Sequence, residues 1–318
     1  MQTLNIIGAG RVGQTLGRLW QQSGMFAVQD VLTHSAASAQ VACDFIGAGE
    51  LVTLMAQMRS ADVWMLAVPD AQIAEVADAL GVWAAKRAAP RPPPAAQAPP
   101  SPTQNALRPT LLANAVDTPA TQQQPVTFHC SGAQSSASLA PLAALGWRTA
   151  SAHCILSFAS AEVAVQQFPG TACALEGDAS AIANLHSAFT AIEARCFEVA
   201  SQDKLLYHAA AVFATNFLPV IQSVAEDAWL AAGVPPELLP GLRTSLLNNA
   251  VANITQLGPA GALTGPAARG DVAAIARQAN AVTQWDAKAG AAYEALSALA
   301  LRLAKAKTET NPTPASKN

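Results

Sequence analysis

Over the first 200 residues, short apolar runs alternate with stretches of helical periodicity, the pattern of strands joined by crossover helices in a parallel sheet. The pattern predicts strands at 4–7, 27–32, 63–68, 126–130, 148–153, 171–175 and 195–199. It predicts helices at 14–23, from about 71, at 139–145 and at about 179–192. Beyond residue 200 the strand signal stops. Long Ala- and Leu-rich stretches follow, broken at Gly233-Val234-Pro235-Pro236 and at Gly258-Pro259, and they read as helices. The expected fold is α/β: a Rossmann-type parallel-sheet domain over 1–199, then an all-α domain over 200–305 that serves the substrate and dimerisation.

Two segments break this pattern. Ten of the 21 prolines lie between Ala84 and Pro125, and such a run cannot sustain helix or sheet hydrogen bonding. Residues 84–125 therefore read as a disordered Pro-rich insertion, and 306–318 as a disordered tail. Neither is expected to carry chemistry.

The 318 residues suit about two domains. Charged residues make up only 12% and the net charge is −3, so the chain lacks the basic footprint that nucleic acid or an anionic membrane surface would require. No apolar run approaches 18 residues, and the N-terminus lacks a basic signal-peptide start, so no membrane partner is expected. The five cysteines are scattered and contain no C-x-x-C, which fits a reducing cytoplasm without a disulfide framework. A cytoplasmic protein acting on a small molecule is the expectation.

The first strand runs straight into Gly8-Ala9-Gly10-Arg11-Val12-Gly13, a G-x-G-x-x-G that opens a helix. Gly8 permits the tight turn, Gly10 lets backbone approach a pyrophosphate, and Gly13 lets helix pack on sheet. Arg11 and Val12 belong to the same cofactor-binding turn. An NAD site usually carries Asp or Glu at the end of the second strand, but here that position reads Leu32-Thr33-His34-Ser35. With no carboxylate to repel a 2′-phosphate, and with Thr33, His34, Ser35 and Arg11 as donors, NADP is expected over NAD.

Ligands of open α/β sheets lie beyond the carboxyl ends of strands. Val68-Pro69-Asp70, His129-Cys130-Ser131-Gly132 and His153-Cys154 occupy such ends. Val68, Pro69 and Ser131 are assigned to the cofactor and His129 to catalysis; a strand-end histidine bonded to neighbouring backbone is the alternative. The His-Cys pairs are not a metal site, because consecutive strand residues point to opposite faces. Lys204 and His208 stand four apart on one helix face, where a cation beside an imidazole could orient a carbonyl and deliver a proton; both are assigned to catalysis. Pro219 should bend that helix, with Asn216 as cap or substrate contact. Thr264 and Arg269 are candidates for a substrate carboxylate, with Asp271 as the N-cap of a following helix.

These motifs occur in order with Leu175-Glu176-Gly177-Asp178, with Tyr207-His208-Ala209-Ala210-Ala211-Val212-Phe213-Ala214, and with Ala262-Leu263-Thr264-Gly265-Pro266. Together they resemble the bacterial family that joins a Rossmann-like NAD(P)-binding domain to a helical domain of unknown function 2520. Its architecture is similar to that of the 6-phosphogluconate dehydrogenase-like superfamily, which includes pyrroline-5-carboxylate reductase and ketopantoate reductase. The resemblance implies an NADP-dependent oxidoreductase, read here as moving a hydride to or from a small carbonyl or imine compound; the Ala-rich helices offer small-residue faces that pack closely and point to a homodimer, though one packed monomeric bundle would use the same faces. In the hydroxyacid branch a Lys and an Asn one helical turn later hold the substrate; Lys204 with His208 looks like that pair with His in the Asn position. Cys154 departs from the proline expected after His153. Two rival readings stay open: an imine reductase whose helical domain supplies shape and carboxylate binding, and a dinucleotide sensor without turnover.

Overall fold

The structure, a computed structural model, describes residues 1–88 and 124–310. The chain divides into two compact units, Met1–Ala211 and Val212–Asn318.

The first unit is built on one eight-stranded sheet: β1 (Gln2–Ile7), β2 (Phe26–Leu32), β3 (Glu50–Val52), β4 (Val63–Leu66), β5 (Val126–His129), β6 (Arg148–Cys154), β7 (Ala172–Gly177) and β8 (Arg195–Glu198). Their spatial order is β3-β2-β1-β4-β5-β6-β7-β8, so the order reverses between β1 and β4. All pairs are parallel except β6 with β7, where Cys154 faces Cys173 in antiparallel register. The expected parallel sheet thus holds with one exception. Helices α1 (Arg11–Ser23), α2 (Ala36–Ile46), α3 (Ile73–Ala88), α4 (Ala140–Ala143), α5 (Ala161–Gln167), α6 (Ala179–Thr190) and α7 (Lys204–Ala211) complete the unit.

The central strands β4 and β5 are buried throughout, as expected for strands covered on both faces; β4 is wholly apolar, whereas β5 also buries Thr127 and His129. On one face Trp20 packs edge-on against Phe26, Phe128 and Phe189, and its indole N–H donates to the Ala188 carbonyl at 2.8 Å. On the other, Trp64 meets Trp83 and Trp147. These two clusters fix the strand ends that frame the cavities described below.

Residues 84–88, predicted to begin the insertion, are instead the last turn of α3, where Arg87 lies over the Trp83 ring. The remaining 89–123 lie outside the described residues, as do 311–318 of the predicted tail; 306–310 close the last helix.

The second unit contains α8 (Phe217–Ala231), α9 (Leu239–Ala262), α10 (Gly265–Ala268), α11 (Val272–Trp285) and α12 (Ala287–Thr310). Both predicted breaks are present: Gly233 takes φ +88° after α8, and Gly258, at φ +69°, interrupts α9 before Pro259. The bend expected from Pro219 takes the form of a π-helical turn over Val212–Asn216, the wider spacing that a helix adopts where an N–H is missing. The Asn216 side-chain oxygen accepts from the Thr215 hydroxyl at 2.8 Å.

The division falls after Ala211 rather than at 199. The last strand does end near 199, but α7 sends Lys204 into the interior of the first unit, and tertiary contact outweighs the change in local pattern. The helical stretch Ser201–Ala231 is long and apolar enough to cross a membrane by length and composition alone. Its Lys204 is buried and hydrogen-bonded within the first unit, which identifies this part of the stretch as a packed helix.

Candidate active site

The glycine turn stands where the strand order reverses, the crevice in which open α/β sheets bind ligands. Gly8 takes φ +80°, and a Cβ there would lie 2.6 Å from Val68 and 2.7 Å from the Ala67 carbonyl oxygen. Gly13 is as constrained, since a Cβ would meet the Gly8 carbonyl oxygen at 2.6 Å. Gly10 differs: it is the N-cap of α1, has ordinary backbone angles, and nothing lies within 4 Å of where its Cβ would be. The first two glycines are required by the fold, whereas the third leaves space in front of a helix N-terminus.

That space belongs to a cavity of about 800 Å³, walled by Gly8, Gly10, Thr33, His34, Val68 and Pro69, together with residues of α2 and α3. It has the size and position for a dinucleotide. Among the described residues no Asp or Glu lines it, and no Arg or Lys. Asp30, the nearest carboxylate on β2, is buried and held by Arg59 through its backbone N–H and its guanidinium. Of the residues assigned to a 2′-phosphate, Thr33 and His34 line the cavity, but the Thr33 hydroxyl donates to the Ser35 carbonyl at 2.7 Å. Ser35 caps α2 by accepting from Ser38 N, and Arg11 reaches the Phe158 carbonyl at 3.3 Å; neither lines this cavity. Ser38, missed in the sequence, does.

A second cavity of about 240 Å³ lies beside the first: Pro69 lines the large one and Asp70 the small one. Val12, Ser131, Gly132, His153 and His208 also face the small cavity. Ser131 is held by a short lattice of bonds, its hydroxyl donating to Asp70 Oδ2 at 2.7 Å and accepting from the backbone of Ala133 and Gln134. Val12 and Ser131, assigned to the cofactor, therefore stand in the smaller cavity.

Lys204 and His208 do share a helix, but their side chains serve different ends. The Lys204 ammonium is buried and donates to the Ser131 carbonyl at 3.0 Å and to Ser151 Oγ at 2.6 Å. Ser151 in turn donates to Glu176, whose carboxylate also accepts from Ser136 N, Ser136 Oγ and Ser201 Oγ at 2.7–2.8 Å. Burial lowers the Lys204 pKa, and the charges of Glu176 and Asp70 act against that shift. Burial alone would raise the Glu176 carboxyl; the bonds from Ser201, Ser136 and Ser151 outweigh it and hold its pKa below the ordinary carboxylate value. Lys204, assigned to catalysis, is thus placed beneath the Ser131–Gly132 turn and is not among the residues that line the small cavity.

His129, also assigned to catalysis, lies beneath the same turn. It is fully buried, Nε2 sits 3.0 Å from the Ser135 carbonyl, and Nδ1 accepts from Ser131 N at 3.2 Å. Both ring nitrogens are engaged in bracing the turn, and burial lowers the ring's pKa.

His208 remains available. Its Nδ1 is buried and has no hydrogen-bond partner among the described residues. The rings of His208 and His153 meet edge to face at 5.7 Å, and a Cβ on Gly132 would stand 2.5 Å from His208 Nδ1 and 2.8 Å from His153 Nε2. Glycine is what lets two imidazole nitrogens converge on one wall of the cavity. Gly132→Ala is therefore expected to cost roughly 1–3 kcal/mol through overpacking. Gly10→Ala, in open space, should stay within about 0.5 kcal/mol of wild type. Urea unfolding of both variants checks the contrast, and equal costs would remove the argument.

The other predicted substrate residues lie in the second unit. Thr264 precedes α10 without a side-chain capping bond, Arg269 ends that helix, and Asp271 caps α11 by accepting from Ala274 N at 2.9 Å.

Residues 2–90 match the model of a Rossmann-like domain, and residues 171–300 match domain of unknown function 2520. No curated protein matches the chain. Among solved structures, protein TM1727 from Thermotoga maritima superposes with a TM-score of 0.67 at 22% identity, covering 96% of this chain and 99% of that one. The "putative NADP oxidoreductase BF3122" of Bacteroides fragilis follows at 0.62 and 18%, covering 95% and 98%. An imine reductase of Streptomyces aurantiacus gives 0.53 and 16%, covering 96% and 95%. At these identities the likeness establishes a shared fold.

Proposed function

We propose that this chain, in which a Rossmann-like domain match is followed by a match to domain of unknown function 2520, is an NADP-dependent oxidoreductase acting on a small carbonyl or imine compound. The observation that carries this reading is the glycine turn at the sheet's reversal point, opening an 800 Å³ cleft that meets a 240 Å³ cavity with an unpartnered histidine nitrogen. The cleft fits a dinucleotide: Gly10 leaves backbone free to approach a pyrophosphate at the α1 N-terminus, while His34 and Ser38 offer donors where, among the described residues, no carboxylate stands against a 2′-phosphate. The bound cofactor would supply or accept a hydride. The chain's own residues shape the smaller cavity, and His208 Nδ1 gives or takes the proton. In this reading Lys204 holds the turn under the substrate, whereas Arg269 and Thr264 remain candidates for a substrate carboxylate.

The second unit leaves Phe217, Val220, Ile221 and Val224 of α8 and Leu246, Val251 and Ile254 of α9 exposed, which supports a homodimer. Light scattering should give about twice the chain mass; a single-chain mass at working concentration removes this part.

Fluorescence titration with NADPH and NADH tests the whole. The expected outcome is saturable binding of both, tighter for NADPH, followed by NADPH oxidation in a panel of small ketones and imines. Binding without turnover of any of them favours the dinucleotide sensor. If neither nucleotide binds, the reading fails at its base.

A further inference from the structure

Two ring nitrogens and one glycine form a wall of the smaller cavity, and a tyrosine behind them settles what that wall offers. The Tyr207 hydroxyl lies 2.7 Å from His153 Nδ1. Burial pushes the Tyr207 pKa up, so the phenol keeps its proton, and the hydroxyl makes no other hydrogen bond among the described residues. With the phenol as donor, Nδ1 accepts and the ring proton sits on Nε2. Nε2 is the atom that faces Gly132 and the cavity. Burial, joined by the charges of His208 and Lys204, lowers the His153 pKa to about 4, with Asp70 opposing, so the ring stays neutral near pH 7. In that tautomer it presents one uncharged N–H, beside a His208 Nδ1 that has no partner among the described residues.

We propose that His153 Nε2–H, held in that tautomer by Tyr207 as a positioning residue, binds the oxygen of a carbonyl or hydroxyl ligand in the small cavity. This deepens the oxidoreductase reading and rests on it only for the ligand's fate, since the tautomer belongs to the protein alone. The choice of oxygen follows from lone pairs. A carbonyl or hydroxyl oxygen has two, so it accepts from His153 while exchanging a proton with His208 Nδ1. The nitrogen of an iminium ion has none to offer Nε2–H, and that of a neutral imine has only one, so it cannot accept from His153 and from His208 at once. The wall thus selects the oxygen member of the two substrate classes. Gly132 is part of the selection, because a side chain there would separate the two rings.

The test uses the full chain with ring-15N histidine and long-range 1H–15N correlation spectra, with His153→Gln to assign the signals. Wild type should show His153 as the single Nε2–H tautomer at pH 7, and Tyr207→Phe should lose that signature and give averaged ring nitrogens. Cyclohexanone, as carbonyl probe, should shift the His153 Nε2–H signal, whereas cyclohexylamine, a cation at this pH, should not. A proton on Nδ1 in wild type, or an unchanged tautomer in Tyr207→Phe, overturns the positioning role. A response to the amine alone, or to neither probe, overturns the ligand assignment. NADPH titration of the same samples keeps the two readings apart, since loss of nucleotide binding leaves the tautomer untouched, and the reverse holds as well.

Discussion

Gly10→Asp should abolish measurable dinucleotide binding while leaving the protein as stable as wild type or slightly more so. Position 10 is the N-cap of α1, and the wild-type helix has no side-chain cap there. An aspartate at an N-cap accepts from the first helical N–H groups and favours the helix dipole, gains of about 0.5–1 kcal/mol. Its backbone angles suit any residue, and its Cβ would meet nothing within 4 Å. The same carboxylate would stand where the proposed pyrophosphate approaches. Two unit charges about 4 Å apart near a protein surface repel by roughly 4 kcal/mol. Even half of that weakens affinity by more than ten-fold, and the full value by close to a thousand-fold. Thermal unfolding and NADPH titration of one preparation read both effects. A variant that binds NADPH normally would place the nucleotide elsewhere; one that is unfolded would show that the site had been misread as open.

Gly8→Ala supplies the contrast, because φ +80° and the 2.6 Å approach to Val68 make the fold itself the casualty. This division of labour was legible in the motif, which assigns the tight turn to Gly8 and close backbone approach to Gly10. What the sequence did not show is the partner that makes Gly8 irreplaceable, the Ala67–Val68 segment just beyond β4. The elements themselves were largely legible, since strand and helix periodicity is local. What escaped was short or tertiary. Strand β3 has three residues, too few to display alternation, and α2 is an Ala-rich run without a marked face. The antiparallel pairing of β6 with β7 left no local trace, because the connection through α5 carries a helix as a parallel crossover does.

The site divides along the same line. His208, the glycine turn and the strand-end positions are visible as residue types at telling places. The buried contacts of Lys204 and His129 were not visible, because spacing on a helix or position at a strand end says nothing about a buried partner. The partner of Lys204 is Ser151, and behind it Glu176, which the sequence offers only as one acidic residue in a strand. His153 and Tyr207 come together across 54 residues, a contact that no periodicity encodes.

Glu176→Gln is expected to be the most destabilising conservative change in the first unit, at about 3–5 kcal/mol, because it leaves the Lys204 ammonium buried without an anion one hydroxyl away. The amide also brings N–H donors to a place where Ser136 N and three hydroxyls already donate. Lys204→Met should cost less, about 1–2 kcal/mol. It strands the Ser131 carbonyl, but it also removes a cation that burial disfavours, and Glu176 keeps four hydrogen bonds. The double variant should then be less destabilised than the sum by about 1–3 kcal/mol, since the uncompensated charge is gone. Urea unfolding of the four proteins gives the coupling, and simple additivity would show that Lys204 and Glu176 do not act as one network. Acid unfolding supplies an independent check. Because the Glu176 pKa is lowered in the fold, its contribution is fully present above the ordinary carboxylate value of about 4.5 and is lost as pH falls through the lower folded value. The wild type should lose stability across that acid window, and Glu176→Gln, with no carboxyl to protonate there, should lose less.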